Sequence, residues 1–471
     1  MTTEAVDSSV GFRSERGPIL GALMLATALV ALDSTIIATA VLTITDNLGG
    51  FSQFPWLFSI YLLTQAVTVP VYGKIADTVG RKPVIMFGIA IFALGSLLCG
   101  LATSMLGLII FRAVQGIGAG AIQPMTMTIA ADLYTLSERA KVQGYLASVW
   151  AMSSVLGPVV GGVFSEYVDW RWIFLINLPL SALAAWMLLR HFTESAPRRT
   201  QRVDYLGAGL LALGAGALIL ALLEGGQAWA WSSPISIAIF AGGAVVLVVF
   251  VVVEWRAENP ILPLWVFTRR VIVASSLASL LVGAILLGIS SYVPTFTQGV
   301  LGTGALVAGL TAGALTLGWP VAASNAGRVY LRIGFRRTAL IGSTIATLGA
   351  VSTLLIDENS TLIQVAASCF VIGIGMGLVA TPTLIAAQTA AEWTERGVVT
   401  STNMFARSIG SAVGVALFGA LVNSRIGNTD HPAPVALSSA VHLVFITVTA
   451  MAGVMVIASA AMPGRGPTSD R

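Results

Sequence analysis

Residues 73–88 read GKIADTVGRKPVIMFG and residues 327–342 read GRVYLRIGFRRTALIG. Gly73, Lys74, Gly80 and Gly88 match Gly327, Arg328, Gly334 and Gly342 at a constant offset of 254 positions. Each stretch is a short basic segment between two long apolar runs. A second echo pairs Gly116, Gly118 and Gly120 with Gly373, Gly375 and Gly377 at an offset of 257, and a third pairs Gly157 and Gly161 with Gly410 and Gly414 at 253. Three matches near one offset predict a chain built from two related halves.

The chain around these repeats has 471 residues, of which 56% are apolar and 10% charged, with 49 glycines. A soluble domain carries about 25% charged residues, so the composition excludes a water-soluble globule, a disordered chain and a nucleic-acid-binding domain. The net charge of only +4 is no basic patch. Cys99 and Cys369 lie in apolar runs, and His191, His431 and His442 are scattered, so no disulfide framework or metal-ligand set is visible. The sequence predicts an all-α polytopic membrane protein in contact with the lipid bilayer.

A helix needs about 20 mostly apolar residues to cross a bilayer, because lipid offers no partner to exposed backbone groups. Fourteen runs qualify, at 18–43, 55–73, 84–103, 107–131, 142–165, 172–190, 205–223, 234–254, 271–298, 304–326, 338–356, 361–387, 398–422 and 438–461. The repeat offset equals eight spans, so each half has six helices and spans seven and eight are an inserted pair, as duplicated secondary transporters are commonly arranged. The expected organisation is an N-terminal tail at 1–17, a six-helix bundle at 18–190 and a linker at 191–204. An inserted hairpin at 205–254, a linker at 255–270, a second bundle at 271–461 and a tail at 462–471 complete it. The run after Pro18 lacks a small-residue cleavage site, so no removable signal peptide is expected.

Of 25 lysines and arginines, 21 fall in the tails and alternate loops, whereas the opposite loops hold only Arg171 and Arg425. Basic residues mark the cytoplasmic side. Both termini are therefore expected in the cytoplasm, as an even number of spans requires.

The motifs resemble those of the major facilitator superfamily, specifically its fourteen-helix drug:proton antiporters of the EmrB/QacA type. Gly73, Lys74, Asp77, Gly80, Arg81 and Lys82 supply that family's signature after the second helix. Arg112, Gln115 and Gly116 match its fourth-helix pattern, and Gly157, Pro158, Gly161 and Gly162 its fifth-helix antiporter pattern. Trp170–Phe174, Asn177 and Pro179 are also typical. The first-helix pattern is kept at Leu32 and Asp33 but departs at Ala38, Thr39, Ala40, Val41 and Leu42. The resemblance implies the major facilitator fold and transport rather than catalysis.

Asp33 carries the most weight, because it is placed near the middle of the first run while other carboxylates fall at span ends, loops or tails. A charged aspartate at the bilayer centre costs about 2.5–3.5 kcal/mol on insertion scales, so it should face a cavity. Burial favours a neutral carboxyl group and a nearby cation favours a charged one. Such a group can be loaded with protons on one side and unloaded on the other. Arg112 is the cation that can tune it, although a long basic side chain can also snorkel to an interface. The same two readings apply to Arg407, which can contact an anionic substrate group or a carboxylate.

At the basic loop, Asp77 can meet a helix N-terminus, where the dipole favours negative charge, and Arg81 can pair with Asp132. Contacts of that kind form in one transport state and break in the other, so the loop reads as a conformational latch. Small residues at Gly157, Gly161 and Gly162 allow close helix approach, and Pro158 adds a kink that the resemblance associates with export. Gly116, Gly118 and Gly120 mimic a dinucleotide fingerprint, but no strand precedes them. Without a phosphate loop, no cofactor is expected and the proton gradient is the expected drive.

Tyr61, Gln65, Gln115, Trp150, Tyr292, Phe296, Gln298, Trp319, Gln388, Asn403 and Arg407 are candidates for lining a greasy, adaptable substrate cavity, with about half expected to be interfacial anchors instead. The expected protein is a monomeric proton antiporter of a bacterial inner membrane. It would export amphipathic or hydrophobic small molecules such as drugs, with protonation of Asp33 competing against substrate. The alternative is a dedicated exporter of one endogenous metabolite, lipid or siderophore.

Overall fold

The computed structural model describes residues 10–37, 40–49, 55–194, 204–226, 229–258, 260, 262–426 and 434–464. Most of the expected N-terminal tail and the loop arginines Arg198, Arg199, Arg202, Arg465 and Arg471 lie outside these residues, as does the altered pair Ala38 and Thr39.

The first group of helices is α1 Gly17–Ile36, α2 Pro55–Val79, α3 Arg81–Gly100, α4 Met105–Leu133, α5 Leu136–Val163 and α6 Asn177–His191. Two helices follow, α7 Tyr205–Glu224 and α8 Pro234–Glu254. The second group is α9 Arg270–Gly299, α10 Ala305–Ile333, α11 Phe335–Thr353, α12 Leu362–Thr389, α13 Arg396–Ile426 and α14 Pro434–Ala460. Thirteen described helical segments are long and apolar enough to cross a membrane. The fourteenth helix, α11, is less apolar because it opens with Arg336 and Arg337 and carries six serines and threonines. Two of those hydroxyls, Thr338 and Thr347, donate to carbonyls four residues back at 2.8 Å, and Ser343, Ser352 and Thr353 donate to carbonyls three residues back, which hides their polarity within the helix.

Polar residues at the ends of the apolar runs decide where helices begin. Glu138 Oε2 accepts from the Thr135 backbone N–H at 2.8 Å ahead of α5, and Gln364 Oε1 accepts from Thr361 N–H at 2.8 Å ahead of α12. Asp204 Oδ1 accepts from Gly207 N–H at 2.9 Å at the start of α7. Each satisfies a donor or acceptor that a helix end leaves open. Two expected spans differ in shape. The first run is α-helical only to Ile36, and a separate short helix, Val41–Leu48, follows. The sixth is broken at Ile176 into Trp172–Leu175 and α6.

The duplication is visible in the backbone. Gly80 joins α2 to α3 with φ +105°, and its partner in the repeat, Gly334, joins α10 to α11 with φ +85°. Only glycine enters that region without steric cost. The other echoes share packing partners: Gly118 lies against Gly88 and Phe92 on α3, and Gly375 against Gly342 and Ala346 on α11. Gly157 lies against Thr35 on α1, and Gly410 against Leu280 on α9. Small residues at these crossings bring backbones close, which is how helices associate where lipid supplies no hydrophobic drive.

Each group has its own apolar core. Leu23, Ile85, Phe92, Ile122 and Leu188 belong to that of the first group, and Ile285, Met376, Phe418 and Phe445 to that of the second. The groups meet along α5–α10 and α2–α13. Helix α7 packs on α2 and α13, one from each group, and α8 packs on α7 with only 17% of its apolar window buried.

Candidate functional site

The first site is a buried polar network in the half of the first group away from the basic loops. Asp33 lies in the last turn of α1, not mid-helix as the run of apolar residues suggested, because α1 stops at Ile36. Arg112 lies seven positions from the start of α4, about 10 Å along its axis. The two side chains are each 1% exposed, and Arg112 Nη1 donates to Asp33 Oδ2 at 2.5 Å. Gln115 Nε2 donates to Asp33 Oδ1 at 2.7 Å and Asn177 Nδ2 to the same oxygen at 3.3 Å. Gln115 Oε1 accepts from Arg112 Nη1 at 2.7 Å, and Arg112 Nε donates to the Leu57 carbonyl at 3.1 Å. The Tyr61 ring stacks under the guanidinium at 4.1 Å, and Ser96 Oγ lies within hydrogen-bond reach of both amide donors.

Helices α1, α2, α3, α4 and α6 thus converge on one polar network, in which α4 and α6 reach the Asp33 carboxylate and α2 and α3 support its partners. An apolar layer that includes Ile36, Leu108, Trp170 and Phe174 packs beyond the network toward the far end. Removing one partner from a buried ion pair is costly, because the other charge is stranded out of water. Protonation of Asp33 is the mildest such removal, since the charge disappears while the side chain stays. Chemically, the arrangement is a buried carboxylate that ties α1 to α4 through Arg112 and Gln115 and to α6 through Asn177.

Gln115 and Tyr61, expected at a substrate cavity, belong to this network. The register carried a signal for Gln115, which lies three residues after Arg112 and so on the same helix face. Asn177 was singled out only as part of the family resemblance, with no role attached, and Ser96 was not singled out; being contributed by other helices, neither leaves a local trace of this contact.

The second site is at the end bearing the basic loops. Helix α2 continues to Val79, so Asp77 is in its last turns. Asp77 accepts from the backbone N–H groups of Gly397 at 2.9 Å and Val398 at 2.8 Å, at the N-terminus of α13 in the other group. Arg81, 1% exposed, lies 3.0 Å from Asp77 and 3.1 Å from Asp132, and donates to the Trp393 carbonyl at 2.6 Å while stacking on its ring. Asp132 also receives Arg396 at 3.0 Å, so one carboxylate holds arginines from both groups. Tyr330 OH on α10 donates to the Leu136 carbonyl beside them. These contacts join the two groups at the basic end.

Lys82 turns away from this cluster to donate to the Phe192 carbonyl at 2.5 Å, and Lys74 lines a rim with Trp265, Glu392 and Glu395. Glu194 was not anticipated. Its carboxylate accepts from Arg81 N–H at 2.7 Å and Lys82 N–H at 3.1 Å, capping α3 from the segment that follows α6.

Between the groups lies a cavity lined by Trp150 and Gln143 of α5, Trp319 and Thr316 of α10, Thr381 of α12 and Arg407 of α13. Gln123 and Met127 of α4 also face it, and Gln65 Nε2 donates to Gln123 at 3.2 Å. Of the eleven cavity candidates, Trp150, Trp319 and Arg407 are among its lining residues.

The remaining candidates lie elsewhere. Tyr292 packs edge-on against Phe418, and Phe296 is buried against Phe445 in the core of the second group. Gln298 is exposed near the end of α9. Gln388 is buried and donates to Thr400 at 3.0 Å, and Asn403 is buried and donates to the Ser275 carbonyl at 3.1 Å. These helices are apolar nearly all round, so composition alone does not say which face looks inward.

The glycines of α5 behave unevenly. Gly157 makes its close approach to Thr35, whereas a side chain at Gly162 would meet open space. Helix α5 keeps α geometry through Gly157–Gly162, and the irregularity falls beyond them in a π-helical turn, Phe164–Val168. The Pro158 side chain lies outside the described residues.

Two six-helix groups with a duplicated loop, a shared cavity and contacts joining them at one end define a membrane transporter fold. The chain belongs to the major facilitator superfamily, whose model matches residues 23–415. It is 35% identical over 429 residues to the multidrug transporter protein MdtP of Bacillus subtilis (strain 168), covering 91% of this chain and 79% of that one. It is 34% identical over 427 residues to multidrug resistance protein 3 of the same strain, covering 91% and 82%. The human organic anion transporter MFSD10 (TETRAN) has a similar fold, with a TM-score of 0.67 at 15% identity, covering 94% of this chain and 99% of that one.

Proposed function

We propose that the protein is a proton-coupled antiporter that exports amphipathic small molecules, working as a monomer without a cofactor. The basic end and both termini face the cytoplasm of a bacterial cell, since basic loops stay inside, and the arrangement described is the carrier closed toward the cytoplasm. The observation that carries this reading is the Asp33–Arg112 pair, a carboxylate of 1% exposure within the membrane-spanning part that accepts from Arg112 and Gln115 of α4 and Asn177 of α6. Asp33 is not among the lining residues of the cavity, so proton and substrate do not contend for one space. They communicate through α4, which carries Arg112 and Gln115 at the network and Gln123 at the cavity. The eight residues from Gln115 to Gln123 span about 12 Å.

Protonation of Asp33 from outside removes the counter-charge of Arg112 and loosens the grip on α4. Opening of the basic end then requires Asp77 to leave the α13 N-terminus and Asp132 to release Arg396. Deprotonation toward the cytoplasm restores the tie. The two Bacillus relatives are named for multidrug transport and multidrug resistance, so drugs are the expected cargo. In proteoliposomes with an imposed proton gradient, Asp33→Asn should insert normally and lose gradient-driven efflux. Undiminished gradient-driven efflux by that variant would remove Asp33 from the mechanism.

A further inference from the structure

Two arginines lie inside the membrane-spanning segments away from the basic loops, and their surroundings are opposite. Arg112 is neutralised by Asp33 at 2.5 Å. Arg407 projects from α13 toward the cavity with no carboxylate paired to it among the described residues, and its Nε donates to Ser279 Oγ at 3.2 Å. The Trp319 ring stands 5.6 Å from its guanidinium. The cavity lining includes two tryptophans, two glutamines and two threonines beside apolar side chains, but no aspartate, glutamate or histidine. An uncompensated cation beside apolar walls is costly, and a cavity so charged repels a cationic guest.

The geometry points to an organic-anion site: Arg407 receives the carboxylate or sulfonate of an amphipathic substrate whose aromatic body lies against Trp150 and Trp319. This deepens the transport reading above and rests on it for the substrate's passage, but the binding claim stands on the cavity alone. Ser279 fixes one edge of the guanidinium and leaves its terminal nitrogens for the guest, in the forked manner suited to a carboxylate. Gln143, Thr316 and Thr381 add neutral hydrogen-bonding groups that tolerate varied ring substituents.

Fluorescein and rhodamine 123 share a xanthene body and differ in the sign of their charge, so they isolate the electrostatic contribution. Binding of each to the purified full chain in detergent is followed by fluorescence anisotropy. The wild type should bind fluorescein at least about tenfold more tightly, the lower end of what a charge-assisted contact contributes. Arg407→Gln should abolish that preference while keeping rhodamine 123 binding, which also reports that the variant is folded, and Arg407→Lys should retain part of it. Equal or tighter binding of rhodamine 123 by the wild type, no fluorescein binding, or an unchanged preference in Arg407→Gln would overturn the assignment. Loss of gradient-driven efflux is read separately through Asp33→Asn, so failure of proton coupling leaves the binding result intact.

Discussion

At the scale of single residues, the decisive pair was half legible. Asp33 and Arg112 stand out because charge inside an apolar run is expensive, and the structure places them in contact. Gln115 stood out through the family resemblance and as a cavity candidate, Asn177 only through the resemblance and Ser96 not at all, and the convergence of α3, α4 and α6 is what gathers the three around one carboxylate, Ser96 through the two amides. Because each charge strands the other when removed, Arg112→Gln should destabilise the fold by about 3–5 kcal/mol, and Asp33→Asn, which keeps the side chain's shape and hydrogen-bonding atoms, by a smaller amount that still allows insertion. The double substitution should cost less than their sum, with an interaction energy above about 1 kcal/mol. Thermal unfolding of the four proteins of this cycle checks the coupling, and strict additivity would mean that the pair contributes no mutual stabilisation.

At the scale of elements, the repeat was legible because its glycines serve crossings that tolerate nothing larger. A methyl group on Gly118 would run into the Phe92 backbone, whereas one on Gly453 meets open space. Gly118→Ala should therefore destabilise by about 1–3 kcal/mol, the usual cost of overpacking. Gly453→Ala should be neutral or slightly stabilising, and the melting temperatures of the two variants distinguish them. The acidic and basic members of the cluster at the basic end were also legible, since Asp77 does meet a helix N-terminus and Arg81 does reach Asp132. Trp393 and Glu194 were not, because they arrive from segments far along the chain. Asp77→Asn removes a charge from the α13 N-terminus, a loss of about 0.5–2 kcal/mol. It should shift the carrier toward opening at the basic end. Spin labels on exposed positions, Lys141→Cys and Arg332→Cys, should show a larger population of long distances; an unaltered distribution would deny Asp77 that role.

At the scale of the whole molecule, the fourteen long helices of the described residues and the gathering of the basic loops at one end follow from apolar length and loop charge, while the faces the helices turn to one another do not. That is why Tyr292, Phe296 and Asn403 fit a cavity on paper and a core or helix seam in space. One further consequence belongs to Arg407. If this part of α13 moves through the electric field as the two groups rock, an empty carrier drags a bare positive charge with it, and each 100 mV crossed by a full elementary charge costs about 2.3 kcal/mol. A bound anion cancels that charge, so the occupied carrier reorients with less electrical work. Capacitive currents evoked by voltage steps on a supported membrane should therefore shrink when the cavity is filled, and should be small from the outset in Arg407→Gln.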